Sequence, residues 1–324
     1  MNIHRLLRIL AILASVGSYM MLVMGTLVTK TGSGQGCGNT WPFCQGQIIP
    51  GVITIAGVIE YSHRIQASVV GMLVLVLTVC VWLVYKKDFR AKLLALLSIL
   101  FVIVQGVLGA LTVVFEGTFN KEWLLSIHFG LSLLALAFVL LLTIRLFQIA
   151  KESKGIAPMR KKSIPTLRAF VWGLAVYTYI IVYTGALVQH TGAILGCGYQ
   201  FPGCGSTYFP NFTSLAGIQM LHRYAATSIW LLMLGFLILV MSRYRDRRDM
   251  LGGAWWAFVF ITLQAMSGIT LVLTGGQLLV EIAHVTLIST FFAILSYLCM
   301  QVGWFPKREA VEEAGAEASV LRPT

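Results

Sequence analysis

Charged residues are scarce in this sequence. They make up only 11% of the 324 residues, and just 12 are Asp or Glu, whereas 58% are apolar and the mean hydropathy is +0.84. A soluble domain needs a larger polar surface, so this composition excludes one. Runs of about 20 apolar residues indicate membrane-spanning segments instead.

The apolar runs also lack the period-2 alternation of barrel strands, so we interpret them as helices. We predict an all-α integral membrane protein with eight transmembrane helices, arranged as two tandem pseudo-symmetric four-helix bundles. The predicted helices cover residues 6–28, 62–85, 93–115, 123–147, 167–189, 216–241, 251–274 and 279–303.

Basic residues are almost absent from one side of the predicted membrane. With the N-terminus inside, every Lys and Arg falls on an inner segment except Lys30, Arg64, Lys121 and Arg223. The positive-inside rule then makes both termini cytoplasmic and the connections after helices 1 and 5 extracytoplasmic. The net charge of +12 is therefore a topology signal that also faces anionic lipid head groups, and we expect no nucleic-acid partner.

One stretch of the sequence occurs twice. Residues 25–44, GTLVTKTGSGQGCGNTWPFC, match residues 185–204, GALVQHTGAILGCGYQFPGC. Such a repeat indicates a duplicated structural unit, and both copies begin on the inner side, so we expect a parallel repeat. We predict an N-terminal bundle over 1–150, a cytoplasmic linker over 151–163, a C-terminal bundle over 164–306 and a polar cytoplasmic tail over 307–324.

Each copy of the repeat carries two cysteines in an outer loop, namely Cys37 and Cys44, then Cys197 and Cys204. Disulfides persist outside the cell, and the glycines and proline of each loop favour a turn that brings its two thiols together. One interpretation is a pair of structural disulfides. A redox-active dithiol and a zinc site are the alternatives, and the spacing does not choose between them.

Four histidines recur at similar predicted depths, on helices 2 and 4 of each half. A lone histidine in a membrane helix often only binds a neighbouring helix. Two imidazoles that face each other across a bundle can also ligate haem iron, which takes axial ligands on opposite faces. Each half lacks a duplicated carboxylate, which disfavours zinc or iron–carboxylate sites. We therefore predict two haem sites, one with His63 and His128 and the other with His222 and His284.

An arginine directly follows the first histidine of each pair. Arg64 and Arg223 could each pair with a haem propionate, Arg64 at the first site and Arg223 at the second. The alternative is an ordinary arginine at the membrane interface.

One exchange breaks the repeat, because Glu60 occupies the position of Gln219. A carboxyl group partly removed from water can exchange protons near neutral pH, whereas an amide cannot. We hypothesise that the first half reacts and the second holds a permanent haem; the alternative is that Glu60 only binds a loop amide. Glu281, three residues before His284, is expected to be a hydrogen-bonding partner of that histidine.

The combination of VTKTGSGQGCG and WPFC, IEYSHR, a second cysteine loop and LHR resembles the haem A synthases of the Bacillus type over all of the chain except its tail. The resemblance implies oxidation of the C8 methyl group of haem O to a formyl group by successive hydroxylations. The product, haem A, would serve terminal oxidases of the bacterial cell membrane.

The resemblance also implies roles for the repeated residues. The C-terminal half would hold a haem b cofactor, and the N-terminal half would hold the substrate haem. The implied partners are haem O as substrate, haem O synthase, oxidase assembly factors and the lipid bilayer. The implied site residues are His222 and His284 for haem b, His63 and His128 for the substrate, Glu60, Cys37 and Cys44 for the reaction, and a structural disulfide between Cys197 and Cys204.

Two other functions remain open at this stage. One is a b-type dihaem membrane electron carrier, such as a quinol oxidoreductase, and the other is a haem transporter or chaperone without turnover. The exchange of Glu60 for Gln219 argues against a symmetric carrier. The electron acceptor, the oxygen source and the oligomeric state, a homo-oligomer included, are also left open.

Overall fold

The protein is described by a computed structural model that covers residues 2–114, 121–155 and 165–303. Within these ranges the fold is all-helical, and eight helices are long and apolar enough to cross a membrane. The predicted eight-span architecture is confirmed. The helices are α1 (Ile3–Lys30), α2 (Ile55–Val84), α3 (Phe89–Val114), α4 (Lys121–Glu152), α5 (Pro165–His190), α6 (Leu215–Arg243), α7 (Arg248–Leu273) and α8 (Leu278–Val302).

Helix α2 begins earlier than hydropathy predicts, whereas α6 begins within one residue of its predicted start. Helix α2 begins at Ile55 rather than at residue 62, because the Thr54 side chain accepts the backbone N–H three residues on and caps the helix. Ser214 caps α6 in the same way. The additional turns place Glu60 and His63 on one helix, so the loop and the membrane interior are joined by a rigid element.

Each half is a ring of four helices. Helices α1, α2, α3 and α4 contact one another in that cyclic order, and α5, α6, α7 and α8 do the same. Helices α2 and α4 are therefore diagonal partners, as are α6 and α8. Separate apolar cores fill the two rings, around Val74 and Leu142 in the first and around Met233 and Phe236 in the second.

The predicted divisions of the chain are only partly covered by the described residues. Helix α4 continues through Glu152, so the predicted linker, 151–163, begins within a helix. Residues 156–163 of that linker and the predicted tail, 307–324, lie outside the described residues.

The two rings meet through α1 and α4 on one side and α5 and α8 on the other. Near the outer end, Lys30 of α1 forms an ion pair with Glu281 of α8, with 2.9 Å between Nζ and Oε2, and the Glu281 side chain is almost fully buried. Deeper in the interface, Tyr19 of α1 hydrogen-bonds to Thr286 of α8 at 2.9 Å. Polar contacts thus fix the relative placement of the halves on this side.

Candidate functional site

The structure places the two histidines of each predicted pair on diagonal helices of one ring. These are His63 on α2 and His128 on α4 in the first ring. In the second ring they are His222 on α6 and His284 on α8, which line one cavity. Diagonal placement allows the two imidazoles of each pair to approach one central group from opposite sides.

Every one of these histidines lies against a glycine on the neighbouring helix. An added methyl group would crowd the imidazole at Gly185 and Gly268 of the second ring, whereas at Gly25 and Gly109 of the first ring it would make an ordinary contact. A methyl group added to the glycine would lie at the following distances from the ring atom Cε1: 3.6 Å for Gly25 and His63, 3.6 Å for Gly109 and His128, 2.9 Å for Gly185 and His222, and 3.3 Å for Gly268 and His284.

In the second ring, hydroxyl groups hold both histidines. Thr184 Oγ1 lies 2.8 Å from His222 Nδ1, and Ser267 Oγ lies 2.8 Å from His284 Nδ1. Both hydroxyls stand immediately before the glycine that faces the same ring. The ring orientation is therefore set by two adjacent residues of one helix, a hydroxyl and a glycine.

The second pair of histidines lines a cavity of about 400 Å³, a size typical of small-molecule sites. Gln264 lies beside this cavity, and its amide nitrogen is 2.9 Å from His284 Nε2. Residues of the first half, among them Gly25 and His128, line the same cavity. The space at the second site therefore extends to the boundary between the rings.

The first pair of histidines has a less polar surrounding. Nδ1 of His63 and Nδ1 of His128 are buried and lack a hydrogen-bonding partner within the described parts of the chain. Gln105, which corresponds to Gln264, instead accepts a hydrogen bond from Ser132 at 2.6 Å. The two sites thus share their histidines and glycines but differ in what fixes the rings.

The cysteine loops lie at the same end of the two rings, next to the starts of α2 and α6. The disulfides Cys37–Cys44 and Cys197–Cys204 are both present, as predicted. The first loop packs directly on the start of α2: a methyl group on Gly36 would come within 2.3 Å of the α2 backbone, so only glycine fits there. Each loop is consequently fixed to the helix that carries the first histidine of its half.

Glu60 and Gln219 occupy equivalent contacts with their loops. Glu60 Oε2 accepts the backbone N–H of Cys37 at 2.8 Å, and Gln219 Oε1 accepts that of Cys197 at 2.8 Å. Glu60 also forms an ion pair with Arg64, four residues on. Glu60 therefore does bind a loop amide, and the charged pair with Arg64 is an additional feature of the first half; a role in proton exchange stays a prediction.

The two arginines bind the loops through backbone carbonyl groups. Arg64 donates hydrogen bonds to Thr40 and Phe43 at 2.6 and 3.0 Å. Arg223 donates to Gly203 at 2.9 Å and also lines the cavity of the second ring. Pairing of either arginine with a propionate stays a prediction.

One predicted contact is wrong. Glu281 is not the partner of His284, because Ser267 and Gln264 contact the two ring nitrogens and Glu281 pairs with Lys30. The sequence contained a signal for Ser267: it is the residue directly before a repeated glycine. That signal was missed because a serine in an apolar helix usually binds only its own backbone.

The donor set fits a haem better than a small metal ion. Among the described residues there is no group of three or more His, Cys, Asp or Glu side chains that could hold a metal ion, which disfavours the zinc alternative. Two facing imidazoles beside a mostly apolar cavity are what a bis-histidine haem requires. The glycines opposite the rings and the buried, unpartnered Gln264 Oε1 agree with room for such a group.

Comparison with known proteins gives full-length matches. Residues 8–296 match the family model COX15-CtaA, described as cytochrome oxidase assembly protein. A protein of Shouchella clausii named heme A synthase is 40% identical over 301 residues, which cover 92% of this chain and 98% of that protein. A protein of the same name from Bacillus cereus strain AH187 is 38% identical over 312 residues, covering 96% of this chain and 97% of that protein.

Proposed function

The chain belongs to the COX15-CtaA family of cytochrome oxidase assembly proteins, and we propose on this basis how its two halves divide the work of a haem A synthase. The activity itself follows from the full-length relatives: the protein is an oxidoreductase that makes haem A, and it is a multi-pass membrane protein. The observation that carries the division of labour is the exchange of Glu60 for Gln219 between two otherwise similar loop contacts.

The C-terminal half is the site of the haem b cofactor. His222 and His284 would supply the axial nitrogens, and Arg223 would face a propionate at the outer edge of the cavity. The hydroxyl contacts of Thr184 and Ser267 support this assignment, because ligating histidines are commonly oriented by a partner on their other nitrogen. A haem b held there supplies electron transfer to and from the neighbouring site.

The N-terminal half is the substrate site. His63 and His128 would bind the iron of haem O, and the C8 methyl group would be oxidised to a formyl group by successive hydroxylations. Support comes from the acid and disulfide that lie on the outer side of this pair. Glu60 contacts the amide of Cys37 and pairs with Arg64. One connected group at the start of the His63 helix thus contains the carboxylate, the arginine and the Cys37–Cys44 disulfide.

Glu60 has a chemical capacity that Gln219 lacks. Both side chains accept the loop amide, so either would keep the loop in place. Only the carboxylate can take up and return a proton, and its ion pair with Arg64 holds the side chain in position. We assign Glu60 to proton transfer in the first half, with Cys37 and Cys44 as the adjacent redox-active pair and Cys197–Cys204 as the structural disulfide.

The membrane arrangement follows the distribution of basic residues. With both termini cytoplasmic, the disulfide loops lie on the outer side of the bacterial cell membrane, where disulfides persist. Haem O would come from a haem O synthase in the same bilayer, and oxidase assembly factors would receive haem A. A dihaem electron carrier would need two equivalent permanent haems, which the different surroundings of the two histidine pairs disfavour.

Pigment analysis tests the proposal directly. The full chain is expressed with a source of haem O, and haems are extracted from the purified protein and separated by chromatography. We expect haem A to appear together with haem b. Recovery of only unchanged haem O and haem b under aerobic conditions with an electron acceptor would defeat the proposed activity and leave the electron carrier and the haem transporter as alternatives.

A further inference from the structure

The two sites differ at the residue directly before each ring-facing glycine. The second half has Thr184 before Gly185, where the first half has Met24. Likewise, the second half has Ser267 before Gly268, where the first half has Leu108. Two positions that touch histidines in one half are therefore hydroxyl residues, and their counterparts in the other half cannot form the same contact.

We propose that Thr184 and Ser267 are positioning residues that make the C-terminal site retain its haem, and that Met24 and Leu108 leave the N-terminal site able to exchange its haem. This inference rests on the proposed function, in which one half holds a cofactor and the other a substrate. It adds a physical reason why two sites with the same histidines would behave differently.

The proton positions in the second site follow from its hydrogen bonds. A hydroxyl has one proton, and Thr184 donates it to the Ile181 carbonyl at 2.7 Å. The contact with His222 can then only be formed by a proton on Nδ1, which the hydroxyl oxygen accepts. Nδ1 of His222 therefore carries the hydrogen, and Nε2 has the free electron pair that a metal requires.

The same argument applies to the other histidine of that site. Ser267 donates its proton to the Gln264 carbonyl at 2.8 Å and must accept from Nδ1 of His284. Both histidines of the second site are consequently held in the metal-binding tautomer and orientation before any iron arrives. The Gln264 amide group lies 2.9 Å from Nε2 of His284, so it would have to move aside when iron binds that nitrogen.

No such constraint acts on the first site. His63 Nδ1 and His128 Nδ1 are buried without a partner in the described residues, and methionine and leucine offer no acceptor for an N–H group. Binding iron there would have to fix the tautomer and the ring angle at the same time, which lowers affinity. Lower affinity suits a site that must release one haem and accept the next.

Loss of the hydroxyl that orients a histidine should change the haem affinity and the midpoint potential by measurable amounts. Removal of a group that hydrogen-bonds a metal-bound histidine typically lowers metal affinity about 10- to 100-fold. Loss of the acceptor also makes the imidazole a weaker donor to ferric iron, so the midpoint potential of the haem should rise. A change that only loosened the fold would not move the potential of the haem that remains bound.

The test measures haem retention in the full-length protein. The variant Thr184→Val/Ser267→Ala removes both hydroxyls with little change in volume. We expect its haem b to transfer to excess apomyoglobin about 10- to 100-fold faster than that of the unmodified protein. We also expect a raised midpoint potential and an altered low-spin ferric EPR spectrum.

Two controls separate positioning from general damage. Thr184→Ser keeps a hydroxyl at this position, so its haem b should transfer as slowly as that of the unmodified protein. Ser289→Ala removes a buried hydroxyl on α8 that donates its hydrogen bond to the Val285 carbonyl rather than to a histidine. This variant should transfer haem b at the unmodified rate. The reciprocal variant Met24→Thr/Leu108→Ser, loaded with a second equivalent of haem b, should slow transfer from the first site.

The outcomes distinguish the inference from the function on which it rests. If Thr184→Val/Ser267→Ala loses haem no faster than Ser289→Ala, with an unchanged potential, the proposed positioning role is wrong and the haem assignment stands. If the purified protein contains haem b that persists in His284→Ala, the assignment of the C-terminal site is wrong, and the inference is overturned with it.

Discussion

The outer loops of the two halves are attached by the same hydrogen bond but differ in charge. In both, a side-chain oxygen at the start of the second helix accepts a cysteine amide at 2.8 Å. In the first half that oxygen belongs to a carboxylate paired with Arg64, and in the second it belongs to a neutral amide. The contact has the same form in both halves, and the proposed proton exchange in the first half depends on this single difference in residue type.

The largest expected effect separates the histidine pairs. His284→Ala should remove essentially all low-spin haem b, because one axial ligand of the cofactor is lost. His128→Ala should keep the haem b spectrum and abolish haem A formation, because only the substrate site loses a ligand. Visible spectroscopy and pigment extraction measure the two effects separately. Identical spectra for the two variants would contradict the division of labour.

The next largest effect concerns the acid. Glu60→Gln recreates the contact of the second half, so the loop and the haem b spectrum should be unchanged. Haem A formation should fall by about 100- to 10,000-fold, the usual contribution of a positioned proton-transfer group. Initial rates of haem A formation measure this.

Gln219→Leu is a control in the second half: it removes the contacts of Gln219 with Cys197 and Ile194 without adding a buried charge, and it should reduce the rate far less than Glu60→Gln does. Rates that fall equally in both variants would contradict a special role for the carboxylate of Glu60.

A smaller difference is expected at the ring-facing glycines. A methyl group at Gly185 would lie 2.9 Å from the His222 ring, whereas one at Gly25 would lie 3.6 Å from His63, an ordinary contact. Overpacking costs about 1–3 kcal/mol, so Gly185→Ala should weaken haem b binding by about 5- to 150-fold. Gly25→Ala should leave haem b binding unchanged. Titration of haem b into the protein stripped of pigment compares the variants.

The smallest effect should come from the disulfides as covalent links. Both close loops with a sequence separation of 7, so removing either should cost a similar free energy of unfolding, roughly 2 kcal/mol. Thermal unfolding in detergent of Cys37→Ser/Cys44→Ser and Cys197→Ser/Cys204→Ser measures this.

The rate of haem A formation should distinguish the two cysteine pairs. Only the first replacement should reduce haem A formation beyond what its lost stability explains. If both replacements affect turnover equally, the first disulfide is structural as well.

The sequence was sufficient for the features that depend on composition and repetition. Apolar runs of spanning length predicted the eight helices. The repeated Cys and Gly positions made the disulfides Cys37–Cys44 and Cys197–Cys204 one interpretation among three, and the structure contains both. The similar depth of the four histidines stays a prediction. These signals are local, or are repeated at a constant shift, so a single sequence reveals them.

The missing information concerned contacts between helices. The partner of His222 is Thr184 on α5, and this depends on how α5 and α6 are rotated against each other, which hydropathy does not encode. Glu281 was assigned to His284 from a spacing of three residues on one helix. A spacing of that kind fixes proximity along a face but not the direction in which a long side chain extends, and Glu281 extends to Lys30.

The ion pair between Lys30 and Glu281 makes the two halves non-interchangeable. In the repeat, Lys30 corresponds to His190 and Glu281 to Leu125, so neither partner occurs in the other copy. A tandem of two N-terminal halves would place the partly exposed lysine against leucine and would lack the ion pair. The second half therefore cannot be replaced by a copy of the first without losing a contact that joins the two rings.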